Sequence, residues 1–453
     1  MARGKKKETM TPEDRLQAAL VPEGDQPYKV PENWCWIHLG ELYQINPKNL
    51  AEDFVDAAFI PMEKIAPGFV NEYSFDVQPW CKAKKGHTQF ADGDVAFAKI
   101  SPCFENRKSM LLNNLPNGIG GGTTELIILR QSHMNQKYTF WFISQEQFIR
   151  GGIATYSGTV GQQRISMDYV RTYPIPVPPL AEQQRIVDRI ESLFAKLDEA
   201  KQKAQDALDS FETRKAAILH KAFTGELTTQ WRKEHGVGME SWETKKYSEI
   251  CNIVRGGSPR PAGSPEFYGG NIPFMKVADI TRNTGPYVNS TEYTIKEAGL
   301  KKTRMVDRNT LLLTNSGATL GVPAICTFKT TFNDGIAAFL GLNPDTLLFH
   351  YYFWTSKTAA LRAINKGAAQ PNLNTDIIGN VEISLPRENE QCEIVRLLDN
   401  LLAKEQQAKE SAEGVLEQID LIKKAILARA FRGELGTNDP SEESAVELLK
   451  VIV

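Results

Sequence analysis

The chain has 453 residues, with 53 lysines and arginines against 55 aspartates and glutamates, and a formal net charge of -2 at pH 7. This length exceeds what one hydrophobic core usually organises, which favours roughly three domains. No apolar stretch approaches the ~20 residues that cross a bilayer, which argues against a membrane protein. The near-neutral charge balance excludes a general attraction to polyanions, so any nucleic-acid surface must be local.

Residues 1–30 are predicted to form a polar N-terminal arm. The first ten, MARGKKKETM, are basic but lack the apolar region and cleavage site of a secretory signal, which favours the cytoplasm. The six cysteines show no CxxC pair and no histidine at zinc-ligand spacing, so we interpret them as free thiols and predict no metal site. They are Cys35, Cys81, Cys103, Cys251, Cys326 and Cys392.

Residues 31–179 are predicted to form a first globular domain of mixed α/β type. Its apolar runs DVAFAKI (94–100) and TELIILR (124–130) are typical of strands, and YTFWFISQEQFI (138–149) is typical of a helix. Basic side chains between strands can contact phosphates, and glutamine or asparagine amides can pair with adenine in the major groove. The alternative for each loop is a solvated surface turn. The candidate DNA-binding residues here are Lys82, Lys84, Lys85, Lys99, Asn106, Arg107, Lys108, Gln162, Gln163 and Arg164.

Residues 180–227 are predicted to form a long spacer helix that begins just beyond Pro178 and Pro179. Apolar residues recur at alternating steps of four and three, which is the stripe of a coiled-coil seam. Arg214 interrupts the stripe. The seam residues of this helix are Ile186, Ile190, Leu193, Leu197, Phe211 and Ile218, and residues 228–240 are predicted to be a linker.

A second mixed α/β domain is predicted for residues 241–386, with strands at TLLLTNS (310–316) and VEISLP (381–386). In VRGGSPRP (254–261) we expect the glycines to let the backbone approach a phosphate and the arginines to contact DNA. The polar stretch NKGAAQPNLN (365–374) is a further candidate. The candidate DNA-binding residues here are Arg255, Ser258, Arg260, Lys276, Asn315, Ser316, Gln370, Asn372 and Asn374.

Residues 387–436 are predicted to form a second spacer helix with the same stripe, interrupted at Glu405. We expect the two helices to pair as an antiparallel coiled coil, and pairing with another chain is the alternative. The C-terminal tail, 437–453, and the N-terminal arm are expected to dock on the helices or on a partner. The seam residues of the second helix are Ile394, Leu398, Leu401, Ile419, Ile422 and Ile426.

The two halves are a duplication at an offset of 208 residues, which a search for internal repeats reveals. Between the halves the register drifts: ADGDVAFAKISP (91–102) best matches VDRNTLLLTNSG (306–317) at an offset of 215. The domains therefore share a plan but differ in their loops. The anchors at the offset of 208 are Trp34 with Trp242, Gln162 with Gln370, Glu182-Gln183 with Glu390-Gln391, and 217–219 with 425–427.

Catalytic motifs are missing from the sequence. It has no P-loop, no HExxH and no G-x-S-x-G, and NPKN (46–49) and NPDT (343–346) lack the full amino-methyltransferase pattern. We predict a protein that is not an enzyme, and binding of labelled S-adenosylmethionine by this chain alone would reverse that prediction.

Across nearly its whole length the chain resembles the specificity subunits of type I restriction-modification enzymes. The motifs that carry the resemblance are PENWCWIHLGEL, PIPVPPLAEQQRIVDRIESLFAKLDEA, ISLPRENEQCEIVRLLDNLLAK and the pair RKAAILHKAFTGELT and KKAILARAFRGELG. The second copy departs by carrying Arg387 where the first has Pro179, while both keep Glu-Gln.

This resemblance implies two target-recognition domains, each contacting one half of a split asymmetric DNA site, with paired helices setting the distance between the halves. It also implies two modification subunits, which bring S-adenosylmethionine, and restriction subunits, which bring ATP and Mg²⁺. No cofactor is expected in this chain. The competing hypothesis is a scaffold or inhibitor of methyltransferase subunits that does not itself bind DNA.

Overall fold

The computed structural model describes residues 11–317, 319–364 and 373–452. These residues divide into two compact units, one made of residues 11–204 with 414–452 and the other of the described residues between 205 and 413. The predicted mixed α/β class, with tandem domains each followed by a long helix, is confirmed. The C-terminal end of the chain belongs to the first unit, which the sequence analysis did not predict.

The elements of the first half of the chain follow in order. They are α1 (Pro12–Ala19), β1 (Cys35–His38), α2 (Leu39–Leu42), β2 (Gln44–Ile45), β3 (Asp56–Ile60), β4 (Asp76–Pro79), α3 (Trp80–Ala83), β5 (Thr88–Ala91), β6 (Val95–Ala98), β7 (Ser109–Leu111), β8 (Ile119–Gly122), β9 (Leu126–Arg130), α4 (Gln136–Ile143), α5 (Glu146–Ile153), α6 (Met167–Thr172), β10 (Pro174–Val177) and α7 (Leu180–Asp209).

The second half repeats this order with local changes. Its elements are α8 (Phe211–Phe223), α9 (Thr229–His235), β11 (Glu243–Lys246), α10 (Tyr247–Ile250), β12 (Asn252–Arg255), β13 (Tyr268–Met275), α11 (Val277–Thr281), β14 (Tyr287–Val288), β15 (Tyr293–Ile295), α12 (Glu297–Leu300), β16 (Arg304–Val306), β17 (Thr310–Thr314), β18 (Pro323–Cys326), β19 (Thr330–Phe332), β20 (Ile336–Leu340), α13 (Leu347–Ile364), α14 (Thr375–Gly379), β21 (Glu382–Leu385), α15 (Glu388–Ala430) and α16 (Ala445–Ile452). Short 3-10 helices lie at Glu23–Asp25, Met62–Lys64, Pro116–Gly118, Met239–Ser241 and Pro344–Thr346.

In the first unit, two sheets have the strand orders β2–β9–β6–β7 and β4–β3–β8–β5, and β1 pairs with β10. Strand β6 shows why its apolar run is continuous. Val95 and Phe97 pack into the core that contains residues of α4, α5 and α7, while Ala96 packs with Ala58 and Phe90 of the other sheet. Because side chains alternate between faces along a strand, a strand buried on both faces must be apolar throughout.

The second unit has the same construction. Its sheets follow the orders β12–β20–β17–β18–β14 and β15–β13–β19–β16, and β11 pairs with β21. Leu311 and Leu313 of β17 pack with Trp354 of α13, and Leu312 between them packs into the other core. The repeat therefore persists as a buried two-sheet framework, which tolerates changes in loop length better than changes in its core.

Within each unit, segments of the two long helices contact each other, and in the second unit the contacts show that they run antiparallel. In the first unit, Lys423 Nζ lies 2.6 Å from Asp198 Oδ1. In the second unit, Arg214 Nε lies 2.8 Å from Glu405 Oε2, and the Lys409 ammonium lies 5.0 Å from the Phe211 ring centre. The two residues that interrupt the predicted seams, Arg214 and Glu405, thus pair with each other.

The first spacer helix was predicted to be continuous, but it is interrupted: α7 ends at Asp209 and α8 begins at Phe211. Ser210 between them keeps helical backbone angles, φ -86° and ψ -6°. By contrast, α15 runs uninterrupted over 43 residues.

The seam prediction is partly wrong in α15. Ile422 is 41% exposed, whereas Lys423 beside it is buried and its ammonium lies 4.9 Å from the Phe194 ring centre. The buried stripe here follows Ile419, Lys423, Leu427 and Ala430. These steps average close to 3.6 residues per turn, so a strict 3.5-residue repeat drifts off the buried face. Ile186, Ile190, Phe211, Ile394, Leu398 and Ile419 are buried, and Leu193, Leu197, Ile218, Leu401 and Ile426 are half-buried.

The corrected seam predicts different effects for neighbouring isoleucines of α15. We expect Ile419→Val to lower the free energy of unfolding by about 1 kcal/mol, because it removes a buried methyl group, and Ile422→Val to change it by less than ~0.5 kcal/mol. The two substitutions alter helix propensity equally, so each controls for the other. Urea unfolding of the full chain measures both, and equal effects would contradict the corrected seam.

The segment after each long helix folds back on a buried glutamate of its own unit. Glu182 Oε1 accepts a hydrogen bond from Thr437 Oγ1 at 2.7 Å, and Arg185 bridges Glu182 to Glu442. Burial raises the pKa of Glu182 above its ordinary value, although the hydrogen bonds from Thr437 and Arg185 act in the opposite direction. The C-terminal tail therefore docks on the first unit, where α16 also contacts α1.

In the second unit the corresponding acceptor is Glu390. It accepts from Thr228 Oγ1 and Arg232 Nη1, each at 2.7 Å, and from Trp242 Nε1 at 3.1 Å. The residues predicted to be a linker, 228–240, are therefore part of the packed unit. They include α9, and the side chain of Arg232 within it is buried.

Candidate nucleic-acid interface

Two polar loops predicted from sequence meet in the first unit at the end of β6. The Ser101 N–H donates to the Gln163 carbonyl oxygen at 2.8 Å, and the Ile165 N–H donates to the Lys99 carbonyl oxygen at 3.0 Å. Gln162 is exposed beside them. Antiparallel backbone hydrogen bonds around Ile100 and Arg164 thus join two loops about 60 residues apart into one surface.

Arg164 stands at the centre of this surface and is held by Glu125, which lies in the β8–β9 turn. Its Nε and Nη2 donate to the two carboxylate oxygens at 2.8 and 2.7 Å, and its Nη1 donates to the Gln162 carbonyl oxygen at 3.0 Å. These hydrogen bonds lower the pKa of Glu125 below its ordinary value. The Arg164 side chain remains 43% exposed, so its guanidinium is fixed yet accessible.

The lysines of α3 and the following turn add positive charge near this surface. Lys84 pairs with Asp53 at 2.5 Å, while Lys82 and Lys85 are exposed and have no ion pair among the described residues. Thr88, three residues beyond Lys85, pairs with Gly122 of β8, and Gly122 is three residues before Glu125. Since three residues span at most ~10 Å, the lysine turn and Arg164 lie at the same end of the domain.

Two other candidates of the first domain are used within the fold. Arg107 is only 11% exposed; it forms an ion pair with Glu146, donates to the Ser144 carbonyl oxygen at 3.0 Å and stacks over Phe69. Lys108 Nζ donates to the Met62 carbonyl oxygen at 2.8 Å. These contacts hold the 99–108 loop in place, so the geometry gives Arg107 a structural role in place of the predicted DNA contact. Asn106 is exposed.

In the second unit, the β19–β20 turn occupies the position of the β8–β9 turn and brings several candidates together. Asp334 in this turn accepts from Ser258 Oγ at 2.5 Å and lies 3.8 Å from Arg260 Nη2. Its carbonyl oxygen accepts from Arg255 Nε at 2.6 Å. Both arginines are exposed.

The expected role of the glycines beside these arginines is wrong. The Gly256 N–H donates to the Ile336 carbonyl oxygen at 3.0 Å and the Gly257 N–H donates to the Phe332 carbonyl oxygen at 3.1 Å. A Cβ at Gly256 would lie 2.2 Å from the Asn333 carbonyl oxygen. These glycines are needed for close approach to another strand, so their N–H groups are not available to a phosphate.

Asn315 and Ser316 follow β17, at the same strand end as Lys99 after β6. Asn315 is buried, and its N–H donates to the Gly335 carbonyl oxygen at 2.9 Å. Its own carbonyl oxygen accepts from the Leu373 N–H at 2.7 Å, which ties the stretch before α14 to this face. Buried Asn315 supports the face, while half-buried Ser316 lies on it.

The remaining candidates of the second domain divide into three groups. Asn374 caps α14 by accepting from the Ile377 N–H at 2.7 Å, although it is exposed. The Lys276 ammonium lies 3.1 Å from the Tyr293 ring centre, a cation–π contact. Gln370 and Asn372 lie outside the described residues.

Sequence reasoning missed the two acids that organise these faces, Glu125 and Asp334, because it selected residue types that contact DNA directly. For Asp334 a signal was present: Asn-Asp-Gly between two apolar runs, TTF and IAAFL, is typical of a tight turn between strands. No comparable signal marks Glu125. Only the structure identifies the roles of both acids, because each contacts a loop that is distant in sequence.

Among the described residues, no group of three or more histidine, cysteine, aspartate or glutamate side chains could hold a metal ion. The six cysteines form no disulfide. A search of the described helices found none long and apolar enough to span a membrane.

Comparison with known proteins identifies related sequences and folds. The family model described as "Type I restriction modification DNA specificity domain" matches residues 31–208 and again 239–414, together more than half of the chain. The EcoAI specificity subunit of Escherichia coli is 36% identical over 220 residues, which cover 47% of this chain and 37% of that protein. The chain thus spans little more than a third of the length of that relative.

Two further matches extend over more of the chain. The putative MjaX specificity subunit of Methanocaldococcus jannaschii is 24% identical over 358 residues, covering 76% of this chain and 78% of that protein. The crystal structure of the HsdS subunit from Thermoanaerobacter tengcongensis superposes with a TM-score of 0.67 at 22% identity, covering 90% of this chain and 99% of that one. At this identity the structural match establishes the fold.

Proposed function

The chain belongs to the family of type I restriction modification DNA specificity domains, and from this membership we propose that it is the DNA-specificity subunit of a type I restriction-modification complex. Each of its two domains binds one half of a split asymmetric target. The chain itself performs no catalysis and holds no cofactor. The alternative, a scaffold or inhibitor that does not bind DNA, is not favoured, since the family model that matches twice describes DNA specificity.

The observation that carries this proposal is the presence of the same loop arrangement in both units with different side chains. In each, the turn between the two sheets meets the loop that follows the central strand. An acid in the turn lies beside an arginine, which comes from the loop before α6 in the first unit and from the loop after β12 in the second. The first face presents Gln162 and Arg164, and the second presents Arg255 and Arg260. A common framework with different polar groups is what recognition of two different half-sites requires, because base contacts specify sequence.

The partners follow from the same proposal. Two modification subunits dock on the long helices and bring S-adenosylmethionine, and restriction subunits bring ATP and Mg²⁺. The helices act as a spacer, so that half-sites lie about one turn of DNA apart, roughly 34–36 Å. The charged residues of the helices support packing against protein and not against DNA. Lysine and arginine side chains of the helices form ion pairs within the helical pair, as in Lys423–Asp198 and Arg214–Glu405.

Exchange of one domain tests the proposal. Residues 241–386 are replaced by the corresponding domain of another family member, and the chain is expressed with its modification subunits in a host whose modified adenines are then sequenced. We expect one half of the methylated sequence to change and the other to remain. The reciprocal exchange of residues 31–179 is the matched control and should change the other half. A change in both halves, or in neither, would overturn the proposal.

A further inference from the structure

An acidic residue occupies the same turn in each unit and contacts an arginine of the candidate interface. Glu125 lies between β8 and β9, and Asp334 lies between β19 and β20. We propose that Glu125 is a positioning residue, which holds Arg164 in the orientation that contacts a guanine, and that both acids weaken the attraction of their faces for DNA of the wrong sequence. This inference rests on the proposed function.

Among the described residues, the hydrogen bonds of Arg164 leave two of its N–H groups without a partner. A guanidinium has five N–H donors. Nε and one N–H of Nη2 donate to Glu125, and one N–H of Nη1 donates to the Gln162 carbonyl oxygen. One N–H therefore remains on each of Nη1 and Nη2. These two N–H groups are available to the O6 and N7 acceptors of guanine in the major groove.

The second unit reaches a similar arrangement with different contacts. The Asp334 carboxylate is held by Ser258 and lies 3.8 Å from Arg260 Nη2, while its carbonyl oxygen holds Arg255 by Nε alone at 2.6 Å. In the part of the chain that the structure describes, neither Nη group of Arg255 has a hydrogen-bond partner, and the Arg260 side chain is 72% exposed. Two exposed arginines thus lie around one turn: the Asp334 backbone carbonyl holds Arg255, and the Asp334 carboxylate is the counter-charge beside Arg260.

A fixed arginine improves discrimination for two physical reasons. Orienting the side chain before binding removes part of the entropy that a free arginine loses at the interface. The nearby carboxylate also offsets the positive charge, so phosphate alone attracts the face less, and binding depends more on the base. An arginine without its acid would bind any DNA more readily and the target less selectively.

Glu125→Gln tests the first unit, because it removes the charge and one acceptor while it keeps the side-chain size. The complex with its modification subunits is bound to the target duplex, and each guanine of the half-site is replaced in turn by 7-deazaguanine, which lacks the N7 acceptor. We expect wild type to lose affinity at one position, about tenfold. In Glu125→Gln this sensitivity should disappear, while affinity for unrelated DNA rises several-fold.

Three further variants separate the proposed role from a merely structural one. Arg164→Met keeps a long side chain without any hydrogen-bond donor and should lose the same 7-deazaguanine sensitivity. Glu243→Gln makes the same charge change at an exposed ion pair of β11 with Lys245, away from the long helices, and should retain it. Asp334→Asn removes the negative charge beside Arg260 and should raise affinity for unrelated DNA without changing the 7-deazaguanine sensitivity of the first half-site.

Some outcomes would overturn the inference and leave the proposed function intact. A wild-type complex that tolerates 7-deazaguanine at every position of the half-site would do so, as would a half-site without any G·C pair. Unchanged sensitivity in Glu125→Gln would also overturn it. Exchange of the domains would still redirect methylation in each of these cases.

Discussion

Replacing Glu390 with alanine is expected to lower the free energy of unfolding by about 3–5 kcal/mol, because it leaves a buried positive charge without its partner. The Glu390 side chain is 2% exposed and is the acceptor for Arg232, Thr228 and Trp242. Without it, the guanidinium of Arg232 keeps hydrogen bonds to Thr228 and to the Gly225 carbonyl oxygen but has no counter-charge. Removal of one partner of a buried pair costs more than the pair itself contributes.

Glu393→Ala is the matched control for this prediction. Glu393 lies on the same first turns of α15 and forms an ion pair with Arg396, whose side chain is 64% exposed. Because solvent screens such a pair, its loss should cost less than about 1 kcal/mol. Urea unfolding gives the total effect, and hydrogen exchange of α9 and β11 locates it in the second unit. Equal losses in the two variants would show that Glu390 does not anchor residues 228–232.

The double substitution Lys82→Ala and Lys85→Ala is expected to weaken DNA binding by the assembled complex about 30-fold at ~0.15 M salt. Both lysines are exposed and have no ion pair among the described residues. Each phosphate contact contributes about 0.9 to the slope of log affinity against log salt, so the slope should shrink by about 1.8. The loss should be similar for target and unrelated DNA, because phosphate contacts carry no sequence information.

Lys196→Ala with Lys201→Ala makes the same charge change on exposed positions of α7 and serves as the control. If the long helices are spacers, this variant should keep the affinity and salt slope of wild type. Binding titrations at several salt concentrations measure both quantities. An equal loss in both double variants would indicate a general charge effect and would remove the α3 lysines from the interface.

The sequence predicted the framework well because its signals are local or repeated. Continuous apolar runs predicted β6, β9 and β17, since strands buried on both faces cannot alternate with polar residues. The alternating segment VEISLP predicted β21, whose Glu382 is exposed and whose Ile383 is buried. The offset of 208 recurs in the structure: β1 and β11 are separated by it, and so are β10 and β21. The change of register inside the domains is also present, because the corresponding strands β9 and β20 are 210 residues apart and not 208.

Several features of the candidate interface were beyond sequence reasoning because they depend on contacts between distant segments. Arg107 and Arg164 are both arginines in polar loops, yet one is held inside by Glu146 and Phe69 and the other is held outward by Glu125. The residue type is the same at the two positions, and the neighbouring side chains decide whether the guanidinium is buried or exposed. The same holds for Gly256, whose close contact is a strand of the same unit.

By itself, the sequence determined the duplication, the mixed α/β class, the principal strands and the presence of two long helices. These depend on hydrophobic period and on self-similarity, which short-range steric and solvation effects impose. Only the tertiary structure decided the helix phase around Ile422 and Lys423, the packing of residues 228–240, and which arginines are presented. Each of these depends on which side chains meet across large sequence separations, where packing and buried charge outweigh local preference.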